Sequence, residues 1–316
     1  MATTTKPMAK TTKATDKKRA PRSTSRKSAE NGDQKKHYRP APSLPMQNEG
    51  MLNMAIKAAR DAGKIQVIAF RDRSNLQISN KSLGDYVTEV DKECERVIVE
   101  TLKTAYPDHA FLGEETGESG KKDAEYTWVI DPLDGTTNFI HGIPQFAVSI
   151  ALLKNGQPLH AVVYHAMANE LFTATKGKGA YLDSRRIRVS GCNSMQDALL
   201  ATGFPFREGD NYDAYIKSMK VMMEKTCGLR RIGSAALDLC WTACGRFDGY
   251  WEKGIKIWDI AAGALIAREA GAFVTDFSGE GDYLQKGENH CRRSEDLPEM
   301  VNRHSGPPSL ILSAKF

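Results

Sequence analysis

The segment W-V-I-D-P-L-D-G-T-T-N-F (residues 128–139) places two aspartates directly behind a short apolar run. Residues 128–130 are typical of a buried strand, where the carboxylate of Asp131 is strongly unfavourable unless a cation meets it. The proline between the aspartates forces a tight turn, in which Asp131, Asp134 and the carbonyl of Leu133 can converge. Oxygen ligands at short range favour hard cations, Mg²⁺ above all. A surface turn with an aspartate cap explains D-P-L-D-G equally well, so this segment alone leaves both interpretations open.

Three further acidic clusters occur in the chain. They are V-T-E-V-D (87–91), G-E-E-T (113–116) and W-E-K-G-I-K-I-W-D-I-A-A-G (251–263). Each places a carboxylate beside apolar residues, where burial without a partner is costly. The clusters therefore favour a site in which several carboxylates meet something cationic.

Helical patterns and short strands make up the rest of the chain. Apolar residues near a 3.6-residue spacing predict a first helix from residue 51 and a second over 91–106, ended by Pro107. The expected apolar stripe of the first helix is Leu52, Ile56, Ala59, Ile65 and Ile68. The runs T-W-V-I, F-A-V-S-I-A-L-L and H-A-V-V-Y-H, separated by turn residues, predict strands of a sheet.

The second half of the chain is more helical. K-G-K-G-A-Y (176–181) looks like a phosphate-binding loop but lacks the P-loop spacing, which favours a hairpin turn. L-L-A-T-G-F then predicts a strand, and helices are expected at about 211–226, 234–245 and 258–270. We therefore expect two subdomains. They are an α+β subdomain over 49–190, which carries the metal-binding motifs, and an α/β subdomain over 191–288.

The first part of the chain is strongly basic. Residues 1–48 hold 12 Lys and Arg against 3 Asp and Glu, a net charge of +9, which leaves −4 of the total +5 for the remainder. Residues 1–45 have almost no large apolar side chains, so we expect a disordered basic tail over 1–48. Contact of this tail with the phosphate backbone of RNA or DNA is the alternative. The acidic remainder argues against nucleic-acid binding by the folded part.

Composition points to an ordinary globular protein of the cytoplasm. With 41% hydrophobic and 26% charged residues, the chain has no apolar run near the roughly 20 residues of a membrane-spanning helix, and we expect no membrane contact. Its six cysteines form no C-x-x-C pair, which favours reduced thiols. Cys240 and Cys244 have helical spacing that suits half a zinc site, but no matching pair follows, which favours core packing.

Taken together, the acidic motifs resemble those of the inositol monophosphatase family over about residues 51–288. In that family an acidic pair follows a glycine, a D-P-hydrophobic-D-G-T-T-N segment follows a strand, and W-D-x-A-A-G opens a late helix. The sequence is most similar to the bacterial SuhB-type branch, through A-T-G-F-P-F (201–206) and R-R-I-G-S-A-A-L-D-L (230–239). This resemblance implies an α/β fold, a layered αβαβα sandwich of the inositol monophosphatase and fructose-bisphosphatase type, and a homodimer.

The resemblance also implies two to three Mg²⁺ ions in the active site. The first would be held by Glu114, Asp131 and the Leu133 carbonyl, and a weaker third partly by Glu114. The second would be held by Asp131, Asp134 and Asp259. Glu115 is left out of the ligand set, because a solvated or capping role explains it equally well.

Catalytic and substrate roles follow from the same resemblance. Thr136 would orient the attacking water, with Asp91 behind it as proton acceptor, and Glu114 completes the catalytic set. Gly135 and Thr136 are expected to begin a helix whose amides face the phosphate. A helix N-cap explains Ser234 as well as substrate contact does. The implied substrate-binding residues are Asp134, Gly135, Thr136, Gly233, Ser234, Ala235, Glu252 and Asp259.

The expected reaction is the Mg²⁺-dependent, lithium-sensitive hydrolysis of a small phosphorylated polyol, with myo-inositol 1-phosphate preferred. Fructose-bisphosphatase and nucleotide 3′-phosphatase activities of the same superfamily are the alternatives. SuhB-type relatives are also associated with the transcription machinery in ribosomal RNA antitermination. A contact with RNA polymerase or nucleic acid, through the basic tail, is therefore a further alternative.

The C-terminal residues depart from the family pattern. After Y-L-Q-K-G-E (283–288) the family continues with a strand and turn resembling N-I-V-A-G-N-P, whereas this chain reads N-H-C-R-R-S-E-D. Removing one base near codon 289 allows the following codons to read I-I-A-G-D-P-K. We therefore expect residues 289–316 to be an aberrant C-terminus produced by a reading-frame shift, with a lost strand and lower stability. A truly divergent segment is the alternative.

Overall fold

Seven α-helices and fifteen strands alternate along the described residues of this computed structural model, which are 46–73, 76–82, 85–205 and 212–292. The helices are α1 (Met46–Arg71), α2 (Glu89–Ala105), α3 (Thr136–His141), α4 (Tyr212–Lys225), α5 (Ala235–Ala243), α6 (Ile257–Glu269) and α7 (Tyr283–Lys286). The strands are β1 (Ile78–Ser82), β2 (Asp85–Thr88), β3 (Ala110–Gly113), β4 (Gly117–Gly120), β5 (Tyr126–Asp134), β6 (Ala147–Lys154), β7 (Gln157–His165), β8 (Glu170–Thr175), β9 (Gly179–Leu182), β10 (Arg185–Arg186), β11 (Leu199–Thr202), β12 (Gly228–Arg230), β13 (Gly249–Lys253), β14 (Phe273–Thr275) and β15 (Glu288–Arg292). The predicted helices and strands are therefore confirmed, with shifts of a few residues at their ends.

The strands form two large mixed sheets and one hairpin. The eight-stranded sheet has the order β10-β9-β8-β7-β6-β5-β3-β4, and the five-stranded sheet has the order β12-β11-β13-β15-β14. β1 and β2 pair only with each other. Within the larger sheet, β5 is antiparallel to β6 and parallel to β3.

Alternating side chains distribute the core over the two faces of each sheet. Val163 of β7 and Tyr250 of β13 belong to one apolar cluster with α5 and α6, so these helices lie between the sheets. Val162 packs on the opposite face of the larger sheet with α1 and α2. Trp251 packs on the opposite face of the smaller sheet with Met222 of α4. This order of layers is the predicted αβαβα sandwich.

The buried face of α1 differs from the predicted stripe. Ile68 is 71% exposed, whereas Ala55, Ala58 and Ala62 are fully buried or nearly so. Small residues are selected because the helix approaches β7 closely: a Cβ at Gly63 would lie 2.5 Å from the Tyr164 ring. The assignment of Ile68 to the core is therefore wrong, because alanine and glycine carry the contact here.

Residues 288–292 correct another expectation. They form β15, which pairs with both β13 and the edge strand β14 of the smaller sheet, and Cys291 is fully buried there. The expected loss of a sheet strand is therefore wrong as far as residue 292. Residues 293–316 lie outside the described residues, and the reading-frame shift stays a prediction.

Other predictions concern the hairpin, the cysteines, the membrane and the tail. K-G-K-G-A-Y (176–181) connects antiparallel β8 and β9, which confirms the hairpin turn. Cys240 is buried in the cluster between the sheets and Cys244 packs against it, as predicted. Over the described ranges, no helix is long and apolar enough to cross a membrane. Residues 1–45 of the predicted tail lie outside the described residues, whereas its last three residues belong to α1, which begins at Met46. The division near residue 190 stays a prediction.

Candidate active site

The site begins where β5 loses its regular pairing. β5 follows the register of β6 up to Asp131, which pairs with Ser149, and then shifts before Asp134. In this irregularity the backbone N–H of Leu133 donates to Oδ1 of Asp131 at 2.9 Å. The buried side chain of Gln66 donates from α1 to the carbonyl of Pro132 at 2.8 Å, which fixes the same turn from behind. D-P-L-D-G is therefore a buried turn and not a surface one.

Asp131 lies at the centre of a group of like charges. Its side chain is 1% exposed, and burial raises its pKa well above the ordinary aspartate value. The negative charges of Glu114, Asp134 and Asp259 raise the pKa of Asp131 further. The fold thus brings together four carboxylates from three separate sequence motifs.

Asp134 connects the eight-stranded sheet to α5. Its Oδ2 accepts hydrogen bonds from the hydroxyl of Ser234 at 2.5 Å and from the N–H of Ala236 at 2.7 Å. Burial raises the pKa of Asp134 to about 7, the two hydrogen bonds oppose this shift, and the charge of Glu252 adds to it. Ser234 is also the N-cap of α5, since it accepts from the N–H of Leu237 at 3.4 Å.

Thr136 and Asp91 form the second functional pair. The hydroxyl of Thr136 lies 3.0 Å from Oδ1 of Asp91 and 3.0 Å from the carbonyl of Leu133. The other oxygen of Asp91 accepts the hydroxyl of Thr88 at 2.5 Å and its N–H at 2.9 Å, in a capping box at the start of α2. Burial, first among the causes, raises the pKa of Asp91 to about 6. Two elements distant in sequence thus place a hydroxyl against a carboxylate.

Asn138, the last residue of the D-G-T-T-N run, joins α3 to the segment before α5, a role that the sequence pattern did not predict. Its amide nitrogen donates to the carbonyls of Gln145 at 2.7 Å and Ile232 at 2.8 Å. Gly135 caps α3 with φ 98°, and a Cβ there would lie 3.2 Å from the carbonyl of Gly233. The predicted start of a helix at residues 135–136 is confirmed, and the close approach explains the glycine.

The smaller sheet and α6 contribute the remaining predicted residues. Glu252 lies near the end of β13, where the hydroxyl of Tyr250 donates to its Oε2 at 2.6 Å. Asp259 lies in the first turn of α6 and accepts the N–H of Lys256 at 2.6 Å. Ser149 of β6 donates to the carbonyl of Trp258 at 3.2 Å, which ties the start of α6 to the larger sheet.

These residues fit Mg²⁺ by charge and donor type. They provide carboxylate oxygens and the Leu133 carbonyl, which are the ligands that hard cations prefer. The repulsion that raises the pKa of Asp131 is a reason for a dication to bind here. Across the residues that the structure describes, no three His, Cys, Asp or Glu side chains are already arranged as a finished metal site.

Comparison with known proteins agrees with this arrangement. Residues 47–306 match the model of the inositol monophosphatase family, so the likeness continues beyond residue 288. The chain is 50% identical over 241 residues to the Nus factor SuhB of Pseudomonas aeruginosa, covering 75% of this chain and 89% of that protein. It is 44% identical over 261 residues to inositol-1-monophosphatase of Rhizobium meliloti, covering 82% and 98%. The crystal structure of extragenic suppressor protein suhB from Bartonella henselae superposes with a TM-score of 0.75 at 42% identity, covering 78% and 94%.

Proposed function

Because the chain belongs to the inositol monophosphatase family, we propose that it hydrolyses a small phosphorylated polyol in a Mg²⁺-dependent reaction, with myo-inositol 1-phosphate as the preferred substrate. One observation supports this most strongly. Buried Asp131 is surrounded by the charges of Glu114, Asp134 and Asp259, and the Thr136–Asp91 pair lies at the same turn.

Glu114, Asp131, Asp134, Asp259 and the carbonyl of Leu133 would hold two to three Mg²⁺ ions. Bound Mg²⁺ supplies positive charge that polarises the phosphate and stabilises the departing oxygen. Asp131, the most deeply placed of the four carboxylates, is suited to bridge two ions. The role of these residues toward the ion is thus to concentrate negative charge at the end of β5.

The hydroxyl of Thr136 and the carboxylate of Asp91 would handle the proton of the attacking water. A hydroxyl has one hydrogen, so when Thr136 donates to Asp91 its oxygen is left to accept from water. Water attacks phosphorus, the bond from phosphorus to the polyol oxygen breaks, and the proton passes through Thr136 to Asp91. The polyol oxygen then takes a proton from solvent. A pKa of about 6 suits Asp91 to accept a proton near neutrality.

Residues from the second sheet would select the substrate. Glu252 of β13 is half-buried and its charge acts on Asp134, which supports a place for it beside the substrate. A carboxylate accepts hydrogen bonds from ring hydroxyls, which favours a polyol over a nucleotide. Gly233, Ser234 and Ala235 would line the same side, and Gly135 the phosphate side.

The test is phosphate release from a panel of three substrates. We expect turnover of myo-inositol 1-phosphate to exceed that of fructose 1,6-bisphosphate and of a nucleotide 3′-phosphate, to require Mg²⁺ and to fall with Li⁺. Preferred turnover of either competitor would replace the proposed substrate by the corresponding superfamily activity. Equal turnover after removal of Mg²⁺ would contradict the metal assignment.

A second role in transcription is supported by the Nus factor relatives at 50 and 51% identity. We propose that the chain contacts the transcription machinery independently of catalysis. Pull-down of RNA polymerase by the wild type and by Asp131→Asn should then be equal. No capture by either protein would exclude this role and leave the phosphatase proposal unaffected.

A homodimer and a cytoplasmic location complete the proposal. Light scattering of the purified chain would give its mass in solution against the 34.9 kDa of one chain. Cell fractionation would test the location.

A further inference from the structure

A buried glutamate outside the proposed ligand set accepts hydrogen bonds from the turn that carries Glu114. Glu95 lies on α2 and is fully buried. Its Oε2 accepts the N–H of Glu115 at 2.9 Å, and its Oε1 accepts the N–H of Thr116 at 2.8 Å and the Thr116 hydroxyl at 2.6 Å. All three donors belong to the two residues directly after Glu114.

The other side of the same turn is held by the sheet. The N–H of Glu114 donates to the carbonyl of Ile130, in the central part of β5, at 3.1 Å. Gly113, the last residue of β3, leaves the space that the Glu95 carboxylate occupies, since a Cβ there would lie 2.5 Å from Cδ of Glu95. Glu114 is thus held between β5 and α2.

The same face of α2 also carries Asp91. Residues four apart on a helix lie on one face, so Asp91 and Glu95 move together with α2. Asp91 contacts Thr136, and Glu95 contacts the turn after Glu114. One helix therefore fixes the distance between the proposed water-activating pair and a proposed metal ligand.

A carboxylate is required at this position for a reason other than packing. A neutral side chain of similar shape would fill the space without the cost of burying a charge. Only a carboxylate accepts all three donors, because an amide at Glu95 would turn its NH₂ group toward at least one of them. The charge is therefore retained for the geometry of the turn.

We propose that Glu95 is a positioning residue that sets the Mg²⁺ affinity of the site by fixing the backbone that carries Glu114. This inference rests on the proposed function, because it assumes that Glu114 is a metal ligand. Groups that orient metal ligands without touching the ion typically change metal affinity when they are replaced.

Asp276 provides a matched control. It is 1% exposed, and its Oδ1 also accepts two backbone N–H groups and one hydroxyl, from Ser278 and Glu280. Glu95→Gln and Asp276→Asn therefore remove the same kind of interaction from two buried turns. Only the Glu95 turn carries a proposed metal ligand.

The experiment is calorimetric titration of the full chain with Mg²⁺ in the absence of substrate. We expect Glu95→Gln to weaken binding of the tightest Mg²⁺ by about tenfold and Asp276→Asn to leave it unchanged, while both variants lower Tm. The kcat of Glu95→Gln at saturating Mg²⁺ should stay within about twofold of wild type, because Glu95 is fully buried and is not one of the proposed catalytic or metal-binding residues.

A folded Glu95→Gln variant with wild-type Mg²⁺ affinity would overturn the proposal, as would equal weakening by Asp276→Asn. If Glu95→Gln does not fold, Thr116→Val removes the hydroxyl donor alone and should weaken binding about threefold; unchanged binding would again overturn it. A wild type that binds Mg²⁺ but hydrolyses no phosphomonoester defeats the proposed function, while the binding comparison still decides the role of Glu95. A wild type that binds no Mg²⁺ overturns both.

Discussion

Each of the two large sheets packs a glutamate against a glycine, and the two pairs differ in what surrounds the carboxylate. In the Gly113–Glu95 pair the carboxylate is fully buried and bound by donors of one turn. In the Gly203–Glu252 pair the carboxylate is half-buried and accepts the Tyr250 hydroxyl. In both pairs a Cβ on the glycine would collide with the carboxylate.

The same steric arrangement of glycine and glutamate is proposed to serve two roles. The Gly113–Glu95 pair encloses its carboxylate and, through the turn that follows Glu114, would fix the position of a proposed metal ligand. The Gly203–Glu252 pair leaves its carboxylate partly exposed, where it would contact the substrate. Perturbing each pair should therefore change a different kinetic constant.

The largest effect is expected at Asp131, where the proposed metal-binding and substrate-binding residues meet. Asp131→Asn removes the buried charge that Glu114 and Asp259 surround, and should lower kcat by about 100-fold or more. Phosphate release at saturating Mg²⁺ measures it. Asp276→Asn, a neutralised buried aspartate remote from the site, is the control and should keep wild-type kcat. Turnover of Asp131→Asn at the wild-type rate would remove Asp131 from the metal ligands.

Gly113→Ala should have the next largest effect. The new methyl group displaces the Glu95 carboxylate from its three donors, so the Mg²⁺ concentration for half-maximal rate should rise about tenfold. KM for substrate at saturating Mg²⁺ should change little. A rise in KM alone would place Gly113 on the substrate side and contradict the proposed difference between the two glycine–glutamate pairs.

Gly203→Ala should raise KM and leave the Mg²⁺ requirement unchanged, and its effect should be smaller than that of Gly113→Ala. Displacing Glu252 should weaken its proposed hydrogen bond to substrate and raise KM about fivefold, the scale of one such bond. The Mg²⁺ requirement should be that of wild type. Gly279→Ala is a suitable control for the loss of a glycine near this sheet, because its added Cβ meets no atom within 4 Å. Any effect of Gly279→Ala therefore reports backbone strain at φ 85°.

Sequence patterns predicted the parts of the site in which charge adjoins an apolar run. Asp131 follows residues 128–130 directly, so its burial and its need for a cation are local properties. Glu95 has no such signal, because E-C-E-R on a helix reads as an ordinary polar stretch. Its burial depends on the space above Gly113, which exists only once β3 pairs with β5.

The hydrophobic pattern predicted the wrong buried face for α1, where close packing favours small residues. Ile68 fits the 3.6-residue period of α1, yet Ala62 and Gly63 make the contact with the sheet. β15 shows the opposite case, since E-N-H-C-R lacks the alternation of a strand and still lies between two others. Pairing on both sides satisfies its backbone, and this depends on residues distant in sequence.

The smallest effect is expected from deleting residues 1–45, which precede α1 and both pairs in the chain. This segment is nearly devoid of large apolar side chains, so it contributes little to a core. Phosphatase kcat, KM, Mg²⁺ requirement and Tm should all stay at their full-length values, whereas any affinity for RNA or DNA should be lost, because the remaining chain is net acidic. Filter binding of a non-specific RNA at low salt measures the second property, and a variant with Lys and Arg of 1–45 changed to Gln separates charge from length. If the deletion lowers kcat, residues 1–45 act on the site. The two glycine–glutamate pairs would then not be sufficient to explain how the active-site residues are positioned.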